Sequence, residues 1–383
     1  MEFSISPEQQ QLRQSLIKFA RLELNGEIAS RDLEQEFPRD RWLKCGERRL
    51  QGLPVPKKYG GLELDPLSSA MALEALGYGF QDNGLLFAIS AHLVASVIPI
   101  LTFGNEEQRH RYLPGMCDGS IIGCNAITEP ETGSDAFAMS TRAIKSDDGY
   151  RLTGTKRYIS NAPVADVTII YALTDEEKRF HGGITAFLVE SGTPGFQVSR
   201  NKIDKMGLRT VLMGELTLED VCVPDSAILG KVGAGAKAFM HSMDWERVCL
   251  FAAHLGTMER LLEDSVKHAK ARQQFGQAIG KFQAVSHRIA DMKVALEAAR
   301  LLIYRGAWNL ERSATVSLDA SLAKLFTSEA YVDAALAALQ VHGAMGYLTE
   351  FGIERMVRDA LGSTVYSGTS EMQRNMIARW LGL

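Results

Sequence analysis

Two stretches of this chain place polar groups where they can do chemistry. The first is Asp244-Trp-Glu-Arg247, two carboxylates and a guanidinium at the start of a long helical pattern. Glu246 there can be a solvated first-turn acid favoured by the helix dipole, an ion-pair partner of Arg247, or a proton acceptor, and the local sequence leaves all three open. The second is Asn125-Ala-Ile-Thr-Glu-Pro-Glu-Thr-Gly-Ser-Asp135. Pro, Gly, Ser and Asp form ordinary turns, but the same run offers backbone N–H and hydroxyl donors able to hold a flavin edge and a diphosphate.

Other candidate motifs have bland explanations. Gly233-Ala-Gly-Ala-Lys-Ala238 has the spacing of a dinucleotide fingerprint, yet it leads into a helix with no following strand, so a flexible helix entry is the better reading. Gly276–Lys281 lacks the gap and the hydroxyl residue of a P-loop, and no H-E-x-x-H or G-x-S-x-G occurs. No metal site is expected. Five cysteines, at 45, 117, 124, 222 and 249, are an odd number without C-x-x-C spacing, which argues against a disulfide framework and suits a reducing cytoplasm.

The elements that must position these groups follow from pattern. Ser6-Pro7-Glu8-Gln9 predicts a capped helix start. Helical texture runs to about 118. Then β-branched runs at Val167–Tyr171, Ile184–Val189 and Glu215–Val223 predict a small antiparallel β domain, with Asp148-Gly149 as a type I′ hairpin turn. Apolar residues at 248, 251, 255, 258, 262, 266 and 269, and at 285, 289, 292, 296, 299 and 303, predict two long amphipathic helices of a bundle. The expected fold is mainly α with a central β domain, divided at 1–118, 119–228 and 229–383.

With 46% hydrophobic residues, 23% charged residues and a net charge of −4, the chain reads as soluble and globular, with no electrostatic reason to bind nucleic acid. The uncharged stretch from Gly84 to Gly104 contains His92 and Pro99 and is expected to be a buried core helix, not a membrane span. With early acid and no apolar h-region in its first residues, the chain is not expected to carry a signal peptide.

Five spaced motifs resemble the acyl-CoA dehydrogenase family. Thr128-Glu-Pro-Glu-Thr-Gly-Ser-Asp135 is similar to its T-E-P-x-x-G-S-D, and the run from Lys156 to Asn161 to its K-x-[WY]-I-[ST]-N. Arg272-Gln-Gln-Phe-Gly276, the pair Phe282-Gln283 with Gln340–Gly346, and the tail Val365–Arg374 complete the set, with Phe3-Ser-Ile-Ser-Pro-Glu-Gln as the opening helix. The resemblance implies an N-terminal helical domain, a β-barrel-like middle domain and a C-terminal four-helix bundle, assembled as a homotetramer with FAD. It places the isoalloxazine beside Asn125, Ile127, Thr128, Tyr158 and Ser160, and the diphosphate near Gly133 and Ser134. Arg272, Phe275, Gln283, Gln340 and Gly343 would come from a neighbouring subunit, and Thr369 and Glu371 from the tail.

The family's reaction removes an α-proton from an acyl thioester while the flavin takes a hydride from the β-carbon. Its base is most often a glutamate between the tail Tyr and Gly, where this chain has Ser367. The resemblance therefore assigns the base to Glu246, the position used by isovaleryl- and long-chain-type members, with Asp244 and Arg247 orienting the substrate pocket. It leaves Ser367 as a backbone N–H donor to the enolate oxygen, so a change of its side chain is expected to matter little. Glu131, Glu350 and Glu354 are set aside as bases, and His254 is expected to be an ordinary buried histidine.

Gly84-Leu-Leu-Phe-Ala with Ala91-His92, Asn125-Ala-Ile-Thr-Glu-Pro, and Ser242–Ala253 are most similar to members that oxidise prolyl groups on a peptidyl carrier protein in secondary metabolism. A carrier-borne substrate calls for a basic rim, for which Lys202, Lys205 and Arg209 are candidates. A CoA thioester of a short or branched acid is the alternative substrate, and oxygen or an electron-transfer flavoprotein the expected electron acceptor. A flavin-dependent oxygenase on the same fold is the alternative reaction.

Overall fold

In the computed structural model, which describes residues 5–312 and 316–383, a curled sheet is clasped between two helical regions that share one core. The first region holds α1 (Pro7–Phe19), α2 (Ile28–Glu34), α3 (Arg39–Glu47), α4 (Pro66–Gly79), α5 (Asn83–His92), α6 (Ile98–Phe103) and α7 (Glu106–Asp118). Ser6 caps α1 in a full capping box with Gln9, as its sequence predicts. Phe3 and Ser4 of the opening motif lie outside the described residues.

Seven strands follow: β1 (Gly123–Ala126), β2 (Arg142–Ser146), β3 (Gly149–Ser160), β4 (Val167–Leu173), β5 (Ile184–Glu190), β6 (Phe196–Arg200) and β7 (Met213–Val223). They pair in the order β1-β4-β2-β3-β7-β6, with β5 added on β4. Most pairs are antiparallel, but β1 runs parallel to β4. The β2–β3 turn differs from the expected one. The two-residue connection is Asp147-Asp148, neither at positive φ, and Gly149 already pairs with Ser146. Glycine is needed at 149 because its φ is 132° and a Cβ would fall 2.1 Å from the Val223 carbonyl oxygen.

The last region comprises α8 (Gly235–Trp245), α9 (Phe251–Ala271), α10 (Gln283–Asn309), α11 (Val316–His342), α12 (Ala344–Tyr347), α13 (Ile353–Gly362) and α14 (Ser370–Trp380). The single helix expected from about 236 is broken: Glu246–Leu250 forms a π turn between α8 and α9. Arg247, Val248, Cys249 and Leu250 are all buried there, so tertiary packing selects the wide turn over a continuous α-helix. A second π turn, Leu93–Val97, interrupts the apolar helix from Asn83 to Phe103 and packs against the first. That apolar stretch is long enough to cross a membrane, but 78% of its most apolar window is buried within the protein.

The Gly233–Ala238 run has a packing role. Gly233 has φ 80° and donates its N–H to Thr185, while a Cβ at Gly235 would meet the β5 backbone at 2.8 Å, so the glycines let α8 start against β5. Close approach also joins the helical regions. A Cβ at Gly77 of α4 would lie 1.9 Å from the Ala253 oxygen, and one at Gly256 of α9 would lie 2.0 Å from the Glu74 oxygen. Gly256→Val should therefore destabilise the fold by about 1–3 kcal/mol or more through overpacking, read as a lowered urea midpoint with an unchanged slope.

Candidate functional site

The two stretches singled out in the sequence lie on elements that converge where α5, β1, the π turn 246–250 and the tail meet. Glu246 opens the π turn, and its Oε1 accepts a 2.5 Å hydrogen bond from the Ser367 hydroxyl. Glu246 is half-buried, and Oε1 is the carboxylate oxygen tied to the tail. Burial raises its pKa above the ordinary glutamate range, opposed by the Ser367 donor and by the nearby charges of Arg247 and Lys324. Lys324 comes from α11 with its ammonium buried and without a hydrogen-bond partner among the described residues.

Ser367 is held firmly. It sits at φ 60°, unfavourable for a non-glycine residue, and its carbonyl accepts from Arg247 Nε (3.4 Å) and Gln373 Nε2 (3.2 Å). Among the described residues its N–H has no protein acceptor. The sequence reading gave the Ser367 side chain no part; the structure ties it to Glu246. Asp244 and Arg247 are buried at 3.8 Å from each other, and Ser317 donates to the other Asp244 oxygen. His254 is buried as expected: its ring stacks on Tyr331, its Nε2 lies 2.8 Å from the Tyr366 hydroxyl, and burial together with the Lys324 charge lowers its pKa to about 3. This neutral ring anchors the residue before Ser367. The rejected acids lie elsewhere: Glu131 and Glu350 are exposed, and Glu354 pairs with Arg358 at 2.7 Å.

The wall of the site is built from β1, β3 and the loop after β1. Asn125 donates to the Ala95 carbonyl in the 93–97 π turn and to the Tyr171 hydroxyl. Ile127 is buried, and Thr128 and Ser160 are half-buried. A bulge between Lys156 and Ile159 puts Tyr158 at φ 62° and leaves its ring 49% exposed. In the loop, the N–H groups of Gly133, Ser134 and Asp135 have no acceptor among the described residues, and open space surrounds the point where a Gly133 Cβ would stand. Three successive N–H donors without an acceptor among the described residues fit a diphosphate, and the exposed Tyr158 side chain fits a flat ring system.

A buried ion pair that pattern reading missed fixes this loop. Lys156 Nζ donates to Glu129 Oε1 (2.9 Å) and to the Ile127 carbonyl, with both charged side chains at most 2% exposed. Burial works against the Glu129 carboxylate, but Lys156 and donors from Ser140 and Thr141 bring its pKa down to about 2. Both residues sit inside motifs, at the second position of T-E-P and the first of the run to Asn161, and that coincidence was the available signal.

The remaining predicted contacts lie on the C-terminal bundle. Arg272 caps α9, Phe275 stands 94% exposed at φ 49° in a two-strand hairpin, and Gln283 begins α10. Gln340 and Gly343 close α11, and contact between the His268 and His342 rings brings the ends of α9 and α11 together. Thr369 caps α14, whose first turn holds the exposed Glu371. Among the described residues no hydrogen bond or ion pair links these groups to the 125–160 wall. Of the expected basic rim, Lys202 is exposed, whereas Lys205 and Arg209 are half-buried. Lys202 donates to the Glu34 carbonyl, Lys205 turns its amine onto the Val211 carbonyl with its pKa lowered to about 8 by burial, and Arg209 bonds the Lys205 carbonyl.

Sequence models of the acyl-CoA dehydrogenase N-terminal, middle and C-terminal domains match residues 6–120, 124–221 and 233–382. The chain belongs to the acyl-CoA dehydrogenase family. It is 45% identical over 350 residues, 91% of either chain, to an L-prolyl-[peptidyl-carrier protein] dehydrogenase of Pseudomonas fluorescens. Among solved structures, the prolyl acyl carrier protein oxidase AnaB superposes with a TM-score of 0.97 at 46% identity, covering 99% of this chain and all of AnaB. PigA solved with FAD and proline superposes with a TM-score of 0.97 at 40% identity, covering both chains fully.

Lys156→Met leaves the Glu129 carboxylate buried without its partner and should cost about 3–5 kcal/mol, seen as a lowered Tm. Because the folded Glu129 pKa is depressed, its contribution in the parent protein is present above the unfolded pKa and is lost as pH falls towards about 2. A melt unchanged by the substitution would contradict this role.

Proposed function

We propose that this chain is an FAD-dependent α,β-dehydrogenase of an acyl thioester, with a prolyl group carried on a peptidyl carrier protein as its substrate. The observation that carries the reading is the pairing of a half-buried carboxylate of raised pKa at Glu246 with an N–H at Ser367 that has no acceptor among the described residues. A base for a weak carbon acid needs a raised pKa, and the oxygen that becomes negative needs a fixed donor. Glu246 takes the α-proton, the Ser367 N–H receives the enolate oxygen, and the Asp244–Arg247 pair holds the turn that presents the base. When bound, FAD supplies the acceptor for the β-hydride. Asn125, Ile127, Thr128, Tyr158 and Ser160 would face its ring system, and Gly133 and Ser134 its diphosphate.

The exposed group Arg272, Phe275, Gln283, Gln340 and Gly343, together with Thr369 and Glu371, suits a cofactor shared between subunits of a homotetramer. The prolyl carrier substrate draws support from the relatives of that activity. It is also consistent with an aromatic line in this chain. Phe239, seven residues before Glu246 on α8, meets Tyr171 and Phe137 edge-on, and Phe137 packs on the exposed Phe180 at 4.9 Å. A slender thioester arm suits such a line. AnaB is an oxidase by name, which favours oxygen over an electron-transfer flavoprotein as acceptor.

Anaerobic flavin reduction tests this reading, with prolyl-loaded carrier protein compared against acyl-CoA thioesters. Bleaching by the prolyl carrier alone is expected; bleaching by an acyl-CoA would return the protein to CoA substrates, and none by either would favour an oxygenase. Glu246→Gln should retain FAD and slow bleaching by about 10²–10⁴-fold. Only ionised Glu246 accepts the proton, so the parent rate should fall as pH drops through its raised pKa, with the acid limb above the ordinary glutamate range.

A further inference from the structure

Among the described residues the Ser367 hydroxyl is the one donor to the Glu246 carboxylate, and Oε2 of that carboxylate accepts no hydrogen bond from them. The donor is tied on both sides. Its backbone lies at φ 60°, its carbonyl is held by Arg247 and Gln373, and Tyr366 before it is anchored by His254. We propose that Ser367 is a positioning residue that divides the labour of the two Glu246 oxygens: its hydroxyl ties Oε1 to the tail turn, so Oε2 is the oxygen that takes the substrate proton. This rests on the reading of Glu246 as the base. The serine thus contributes through its side chain at the position where most relatives hold the base itself.

A hydroxyl that donates to a carboxylate also favours its ionised form. Four other titratable groups face Glu246: Arg247 from its own turn, Lys324 from α11, Tyr171 from β4 and Tyr366 from the tail. The two cations act in the same direction as the hydroxyl. Burial holds both phenols neutral, so neither adds a charge beside Glu246.

The test is the pH profile of anaerobic flavin reduction by prolyl-loaded carrier protein in FAD-loaded Ser367→Ala and Ser367→Gly. Both remove the hydroxyl and keep the backbone N–H, while glycine also relieves the positive φ. Both acid limbs should move to higher pH, making reduction about tenfold slower at a pH on the parent acid limb, with a smaller loss on the plateau. Profiles that superpose on the parent would overturn the proposal, as would a shift in alanine but not in glycine, which would trace the effect to the backbone. Glu246→Gln run alongside separates the two readings. If it bleaches at the parent rate, the base assignment fails and this proposal with it; if it is inert while both Ser367 variants match the parent, the positioning proposal fails alone.

Discussion

A carboxylate that must ionise inside protein is the constraint around which this site is arranged. Burial pushes the Glu246 carboxyl towards its protonated form, and a protonated acid cannot act as a base. Three features oppose burial: the Ser367 hydroxyl, the neighbouring Arg247 and the unpartnered ammonium of Lys324. None of them neutralises the carboxylate by direct ion pairing, since Arg247 is directed to Asp244 and the Ser367 carbonyl. The result is a half-buried base tied at one oxygen and, among the described residues, free at the other.

Two π turns place this carboxylate. The turn at 246–250 sets Glu246 at the junction of α8 and α9, and the turn at 93–97 packs against it and offers the Ala95 carbonyl to Asn125. On the other side, the Lys156–Glu129 pair fastens the loop after β1 to β3, and the amide of Asn161, which donates to the Ala88 carbonyl, fastens the strand wall to α5. Buried polar pairs of this kind tie loops to a scaffold at a desolvation cost, and here they hold the donor loop 133–135 without using its N–H groups.

Much of this was legible in sequence. The Ser6 cap, the strands at 167, 184 and 215, and the heptad-like stripes of the long helices rest on local chemistry and periodicity, and these appear where the pattern puts them. The π turn was not legible, because no Gly or Pro marks it and its wide turn accompanies the burial of Arg247, Val248, Cys249 and Leu250, which only tertiary packing reveals. The hairpin at 146–149 was misjudged by one residue, since the glycine answers a demand from β7, a distant strand. The Ser367–Glu246 bond joins residues 121 apart, and the inward turn of Lys205 depends on a carbonyl six residues on, so neither could be read from spacing.

The central claim, that Glu246 removes the α-proton while Ser367 holds both the base and the enolate oxygen, is tested most directly by a crystal structure of the FAD-loaded protein with a non-oxidisable prolyl thioester analogue. The account predicts Glu246 Oε2 about 3–3.5 Å from the α-carbon, Oε1 still bonded to the Ser367 hydroxyl, and the thioester oxygen on the Ser367 N–H. An α-carbon facing another acid, or a thioester oxygen turned away from Ser367, would contradict it.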